Sequence, residues 1–341
     1  MQGSKESEMR ILDYAVITII VLLVILAAFQ AYQINHLNSE VSAFISANTA
    51  TGLGAVPTNS PVNKSANYSF GSRLTNIDKP FNASDLSVIN NAPNSYFETA
   101  AQMLLNGSLT DQILVAPSNK SLHAGPYVYN GKPTVIYIGA TSCVFCGENR
   151  WAMALALSRF GNFSSLYEGY SSFGDHNLPT LYWADDNYTT PEGVGFGNSY
   201  SSKYINFLSA DYLSPIVQGF EIQPLSYFVS QAPNSTYLKA MSFMNSTNQF
   251  QGTPFTIWGN TLVTGADGVV FGNSTPSSTT LPLTYETHAQ VLSQFKNFND
   301  QFSWGEYAAA DVYIAYTCPQ INDTAPACKL PAIKQLISYI G

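Results

Sequence analysis

The residues best suited to chemistry are four cysteines in two close pairs, Cys143/Cys146 and Cys318/Cys328. The run Cys143-Val144-Phe145-Cys146 is compatible with thiol–disulfide exchange, with a structural disulfide or with half of a zinc site. Zinc wants a second such pair or a histidine pair. The Cys318/Cys328 spacing and the scattered His36, His123, His176 and His288 do not supply that pattern, so no metal is expected. Exchange needs a thiolate on one sulfur and a second thiol in reach to resolve the mixed disulfide. The flanking sequence provides for both. Pro133 to Gly139 is a short β-rich apolar run, Ala140-Thr141-Ser142 follows, and Glu148 to Phe160 places Trp151, Leu155 and Ser158/Arg159 at a period near 3.6. Strand, turn, cysteine pair and helix in that order put Cys143 near a helix N-terminus, where free N–H groups and the helix dipole favour the thiolate. Cys146, one turn later, is the resolving thiol. Cys318 and Cys328 bracket a loop rich in Pro, Asn and Asp between two predicted helices, and read as a structural disulfide contributing about 2 to 3 kcal/mol.

A second landmark is Gly252-Thr253-Pro254-Phe255-Thr256-Ile257-Trp258, which opens a β-rich run reaching Thr264. Gly265-Ala266-Asp267-Gly268 supply a turn and Val269-Val270-Phe271 the returning strand. Alone, this is also what an ordinary X-Pro strand start looks like. Beside the cysteine pair it resembles the thioredoxin superfamily, whose periplasmic disulfide oxidoreductases face a Thr-Pro loop toward the CxxC. The resemblance implies that Cys143 and Cys146 are catalytic, that Pro254 is cis and that Thr253 offers its backbone to a substrate strand. The phrase GKPTVIYIGATSCVFCGENRWAMALALSRFG resembles an archaeal family of membrane-anchored thioredoxin-like proteins, domain of unknown function 929, from about Ser87 to the end of the chain. The chain also departs from thioredoxin. Ser142 stands where thioredoxin has Trp, Val144-Phe145 replaces Gly-Pro, and Tyr137 occupies the place of the buried Asp that moves the resolving thiol's proton. These departures argue against efficient reductase behaviour. Glu148 is the nearest substitute base, or else a solvated glutamate in a first helical turn.

The elements that must carry this site begin at the N-terminus. Tyr14 to Tyr32 is an uncharged apolar run of 19 residues. As a helix it spans about 28 Å, close to the roughly 30 Å of a bilayer core, so 14–32 is expected to be a transmembrane helix in membrane lipid. Lys5 and Arg10 precede it and the next positive charge is Lys64, which makes 1–13 a cytoplasmic tail and puts everything after the span outside. Ile34, Leu37, Val41 and Phe44 recur at helical spacing, so 33–50 reads as a stalk helix. Residues 51–73, rich in Gly, Pro, Ser and Asn, form a flexible linker, and 74–341 form the extracellular domain. Within it, about 163–250 is longer than a minimal fold needs, with strands at Leu181–Trp183 and Tyr204–Leu208, and reads as an insertion covering or framing the site. Two helical stretches between Tyr285 and Thr317 and a short helix at Pro331 to Ile340 close the chain.

Composition agrees with an exported domain. Charged residues make up 11% of the 341 residues, against roughly 25% in ordinary soluble domains, and the net charge is −8 with no Lys/Arg cluster. A nucleic-acid partner is therefore not expected. Asn63, Asn67, Asn82, Asn106, Asn119, Asn162, Asn187, Asn234, Asn245, Asn273 and Asn322 each head an Asn-x-Ser/Thr acceptor sequence, and glycans there would solubilise a surface poor in charge.

The expected fold is α/β, thioredoxin-like, with a large insertion and extra C-terminal helices, preceded by one transmembrane helix. The expected function is a cell-surface thiol–disulfide oxidoreductase without cofactor, an oxidase or isomerase of exported cysteine-containing proteins, re-oxidised by a quinone-linked membrane oxidase or another membrane complex. The competing expectation is a non-enzymatic glycosylated surface protein, or an accessory subunit of a membrane complex, that uses the fold as a scaffold.

Overall fold

The computed structural model describes residues 77–109, 113–114, 120–121, 126–141, 143–170, 178–184, 193–197, 199–212, 224–247, 253–264, 270–271 and 287–340. The tail 1–13, the apolar run 14–32, the stalk 33–50 and the linker 51–73 lie outside these residues. So do Asn63, Asn67, Asn119, Asn187 and Asn273. Among the described residues no helix is long and apolar enough to cross a membrane. All of them belong to the unit Pro61–Gly341.

The central strand grows from the β-branched and aromatic run Val135-Ile136-Tyr137-Ile138, whose side chains favour a pleated, buried surface. Before it come β1 (Ile77–Pro80), α1 (Ala83–Asn90), α2 (Asn94–Leu105), β2 (Ile113–Leu114), β3 (Lys120–Ser121) and β4 (Val128–Tyr129). Then β5 (Lys132–Ala140) leads to α3 (Val144–Leu157). Five strands follow: β6 (Gly161–Phe163), β7 (Tyr167–Tyr170), β8 (Pro179–Tyr182), β9 (Val194–Gly197) and β10 (Tyr200–Ser202). After these come β11 (Asn206–Tyr212), α4 (Leu225–Ser230), α5 (Ser235–Ser246), β12 (Phe255–Trp258), β13 (Thr261–Thr264) and β14 (Val270–Phe271). The chain closes with α6 (His288–Asn297), α7 (Gln301–Thr317) and α8 (Pro331–Ile340), the last two joined by tight helical turns at Cys318–Ile321 and Pro326–Lys329. Mixed α/β architecture is thus established.

The main sheet runs β3-β13-β12-β5-β11-β9, with β4 paired to the start of β5. β11 lies parallel to β5, in register from Asn206↔Thr134 to Tyr212↔Ala140, whereas β12 is antiparallel to β5 on its other side, with Phe255↔Ile138. Successive side chains of a strand face opposite ways, and here they enter two separate cores. Val135 and Tyr137 join one with α2, α3, α7 and α8. Ile136, Ile138 and Ala140 join the other with α4 and α5. The sheet is therefore sandwiched between helices, which explains why β5 reads as continuous apolar sequence rather than alternation.

Four sequence expectations shift. α3 begins at Val144, not Glu148, because Cys143 caps it; periodicity sees the apolar face of a helix and not its first turn. The hairpin after Pro254 turns at Gly259-Asn260, where Gly259 has φ 59, and pairs Trp258 with Thr261. Val270–Phe271 pairs with Ile113–Leu114 instead of returning to β12. Finally, the segment expected as an insertion supplies β9 and β11 to the main sheet and the helices over one of its faces. The rest of that segment stays outside the main sheet: β6 pairs with β10, and β7 and β8 form a small separate sheet with β1.

Candidate functional site

The site forms where β5 ends and α3 begins. Cys143 is the N-cap of α3, with φ −74 and ψ 120, and its Sγ accepts a hydrogen bond from the Cys146 backbone N–H at 3.3 Å. A sulfur here takes the role usually played by Ser, Thr or Asp oxygen. Across from it, the Thr253–Pro254 peptide is cis. The register of β12 on β5 sets these residues level with the end of β5, and the Cys143 thiol donates to the Thr253 carbonyl at 3.6 Å. Both cysteines are free thiols in this structure and both are fully buried, at 0% exposure. Thr253 is 8% exposed, and its hydroxyl has no partner among the described residues.

Beneath the thiols lies a charged cluster not anticipated from the sequence. Arg150, at 0% exposure, sits one turn after Cys146. Its Nη2 donates to Asp211 Oδ1 at 2.7 Å and to the Ala140 carbonyl at 3.0 Å. The guanidinium lies 4.6 Å from the Tyr182 ring centre and 5.8 Å from that of Tyr137. Tyr137 donates its hydroxyl to the same Asp211 oxygen at 3.1 Å. Thus Tyr137, which stands in place of an expected buried acid, is joined to an acid on the neighbouring strand. Gly139 makes this possible. It pairs with Asp211 across the two strands, and a Cβ there would collide with the Tyr137 hydroxyl and the Asp211 carboxylate. The Tyr182 hydroxyl in turn lies 2.9 Å from the Thr141 carbonyl, on the turn that leads to Cys143.

Electrostatics splits the pair. Burial pushes the Cys143 thiol up, and Cys146 adds to this by hydrogen bond and charge. Burial acts on Cys146 in the same direction, yet the Cys143 hydrogen bond and the Arg150 charge outweigh it and hold Cys146 below the ordinary thiol value. Such a pair sheds one proton readily and keeps the second. The sequence expectation put the favoured thiolate on Cys143; the hydrogen bond from Cys143 first, and the Arg150 charge second, lower the Cys146 thiol.

Tyr313 of α7 ties the two sides of the site together. Its ring stacks on Trp258 of β12 at 4.3 Å, and its hydroxyl donates to Asn149 Oδ1 of α3 at 2.6 Å. The Glu148 side chain lies outside the described residues.

Elsewhere, Cys318 and Cys328 form a disulfide with Cα atoms 5.5 Å apart. Asp323 lies beside the two sulfurs, which are spent on each other and so do not offer thiolate ligands. Asn82, Asn106, Asn162, Asn234, Asn245 and Asn322, the acceptor asparagines among the described residues, are all exposed. Asn82 and Asn234 also cap helices.

Of the expected site residues, Cys143, Cys146, Thr253 and Pro254 come together, and Cys318/Cys328 form a separate bond. Arg150 and Asp211 were missed. A basic residue directly before the uncharged run Trp151–Leu157 was the available signal for Arg150. Asp211 was lost because the strand read as Tyr204–Leu208 runs on to Tyr212.

The chain matches no curated protein and no solved structure. Residues 120–319, which hold β5, the cysteine pair, Arg150, Asp211 and the Thr253–Pro254 loop, match the family described as a domain of unknown function (DUF929), and the chain belongs to that family.

Proposed function

We propose that the protein is a cell-surface thiol–disulfide oxidoreductase of thioredoxin-like fold, anchored by the apolar helix at 14–32 and acting on exported cysteine-containing proteins. One observation carries the reading: the Cys143 sulfur caps a helix and lies 3.6 Å from the Thr253 carbonyl across a cis Thr–Pro bond. A cysteine so placed has a second thiol one turn away to resolve a mixed disulfide, and a backbone edge opposite for a substrate strand. The fold assignment is supported by the order of elements: a central strand running into the CxxC helix, a parallel neighbour on one side, and an antiparallel hairpin entered through Thr253–Pro254 on the other. The extracellular placement is supported by the Lys5/Arg10 bias, the formed Cys318–Cys328 disulfide and the exposure of six acceptor asparagines. Turnover as an oxidase requires re-oxidation by a membrane partner, for which a quinone-linked oxidase fits the compartment.

A second reading has its own observation. Both sulfurs are fully buried, as in a structural pair within a glycosylated scaffold or an accessory subunit. The reduction potential of the Cys143/Cys146 pair separates the two. Equilibration in glutathione buffers followed by alkylation and mass measurement is expected to give a value in the range of about −120 to −200 mV, as for disulfide donors and isomerases. A pair still oxidised below about −300 mV is a structural staple, and the scaffold reading then stands.

A further inference from the structure

Arg150 is a fully buried cation with capacity to spare. Its ion pair with Asp211 and its bond to the Ala140 carbonyl both use Nη2, while Nε and Nη1 have no acceptor among the described residues. It follows Cys146 by four residues on α3, and helical side chains lean toward the N-terminus, so the guanidinium reaches back over the turn that holds Cys146. The titratable groups around it are Asp211, Tyr137, Tyr182 and Cys146. Burial, the first cause for both tyrosines, pushes their hydroxyls up and keeps them neutral. Leaving buried donors unpaired is unfavourable. Within this cluster, the group able to supply a second anion is the cysteine pair.

We propose that Arg150 is a positioning residue for the sulfur released when the Cys143–Cys146 disulfide opens, and that it makes the pair an electron acceptor, a disulfide donor to substrate dithiols. The inference rests on the oxidoreductase reading and adds its direction. A substrate thiolate attacks Cys143 Sγ; the Cys143–Cys146 bond breaks and its electron pair stays on Cys146, held by Arg150. The second substrate thiolate then attacks the substrate sulfur of the mixed disulfide and expels Cys143, which takes up a proton. The substrate dithiol, oxidised by two electrons, has lost two protons, one kept by Cys143 and one released to solvent. The closed disulfide carries no charge for Arg150 to act on, whereas the opened pair carries a thiolate. The cation therefore stabilises only the reduced state, and that raises the reduction potential.

The test uses the full-length chain in detergent, with the reduction potential in glutathione buffers and the pH at which thiolate absorbance appears as paired readouts. Arg150→Met is expected to lower the equilibrium constant for reduction at least tenfold, about 30 mV, and to move thiolate formation to higher pH. Asp211→Asn removes the competing anion and is expected to shift both readouts the opposite way. Arg150→Lys keeps the charge without the fork and is expected to fall between wild type and Arg150→Met; it replaces Arg150→Met if that variant does not fold. A general loss of packing does not produce opposite signs in two variants of one ion pair. A wild-type pair that exchanges, with both readouts unmoved or shifted the same way in the variants, overturns this inference alone. A wild-type pair that never exchanges overturns the oxidoreductase reading and this inference with it.

Discussion

Asp211 and Asp311 are both buried carboxylates, and their surroundings set them apart. Asp211 accepts from Arg150 and Tyr137. Asp311, on α7, has no arginine or tyrosine bonded to either oxygen. Burial first and then the Glu98 charge push its carboxyl well above the ordinary value, with Arg159 opposing. A group whose folded value is raised contributes stability that is fully present below its unfolded value, here about 3.8, and that is lost as pH rises through the folded value. Asp311→Asn is therefore expected to remove a component of the pH dependence: between about pH 4 and about pH 8, the wild type should lose more stability than the variant. Urea unfolding midpoints at the two pH values check this. Equal changes in both proteins exclude Asp311 as the source.

The elements meet at α7, a helix buried along most of its length and started by a capping box between Asp300 and Ser303. Its largely apolar circumference, with Glu306 and Asp311 buried in it, belongs in a core, and from there Tyr313 holds both α3 and β12. Tyr313→Phe keeps the ring on Trp258 but leaves the buried Asn149 amide without its partner. The expected loss is about 1 to 3 kcal/mol in chemical unfolding. A loss within measurement error would mean that Asn149 finds another partner, and that Tyr313 contributes by stacking alone. Gly259 governs the other contact of α7. A Cβ at this position would press on Gln320 and the Tyr316 carbonyl, so the turn after β12 is set close against the end of the helix.

At the scale of the whole molecule, the chain builds a sheet between two helical layers and then clips its C-terminal end. Cys318 and Cys328 close a loop with a sequence separation of 10 between α7 and α8. Replacing both with Ala is expected to lower unfolding free energy by about 2 to 3 kcal/mol through loop entropy. The comparison is by denaturant titration, and an unchanged midpoint would remove the disulfide as a stabilising element. Local signals were enough for much of this architecture. The strand at Pro133–Gly139, a helix bearing Trp151 and Leu155, the late helices and the joining of Cys318 to Cys328 all follow from spacing and residue type, because each depends on neighbours in the chain. The placement of Thr253–Pro254 opposite Cys143 came through resemblance. Spacing alone was silent on it, since the two segments are 110 residues apart. That Arg150 and Tyr137 share one buried acid, Asp211, was beyond reach for the same reason, with separations of 61 and 74 residues. A charge on a helix becomes the partner of a thiol only when a parallel strand brings an acid beside Gly139 and burial removes the water that would otherwise solvate it.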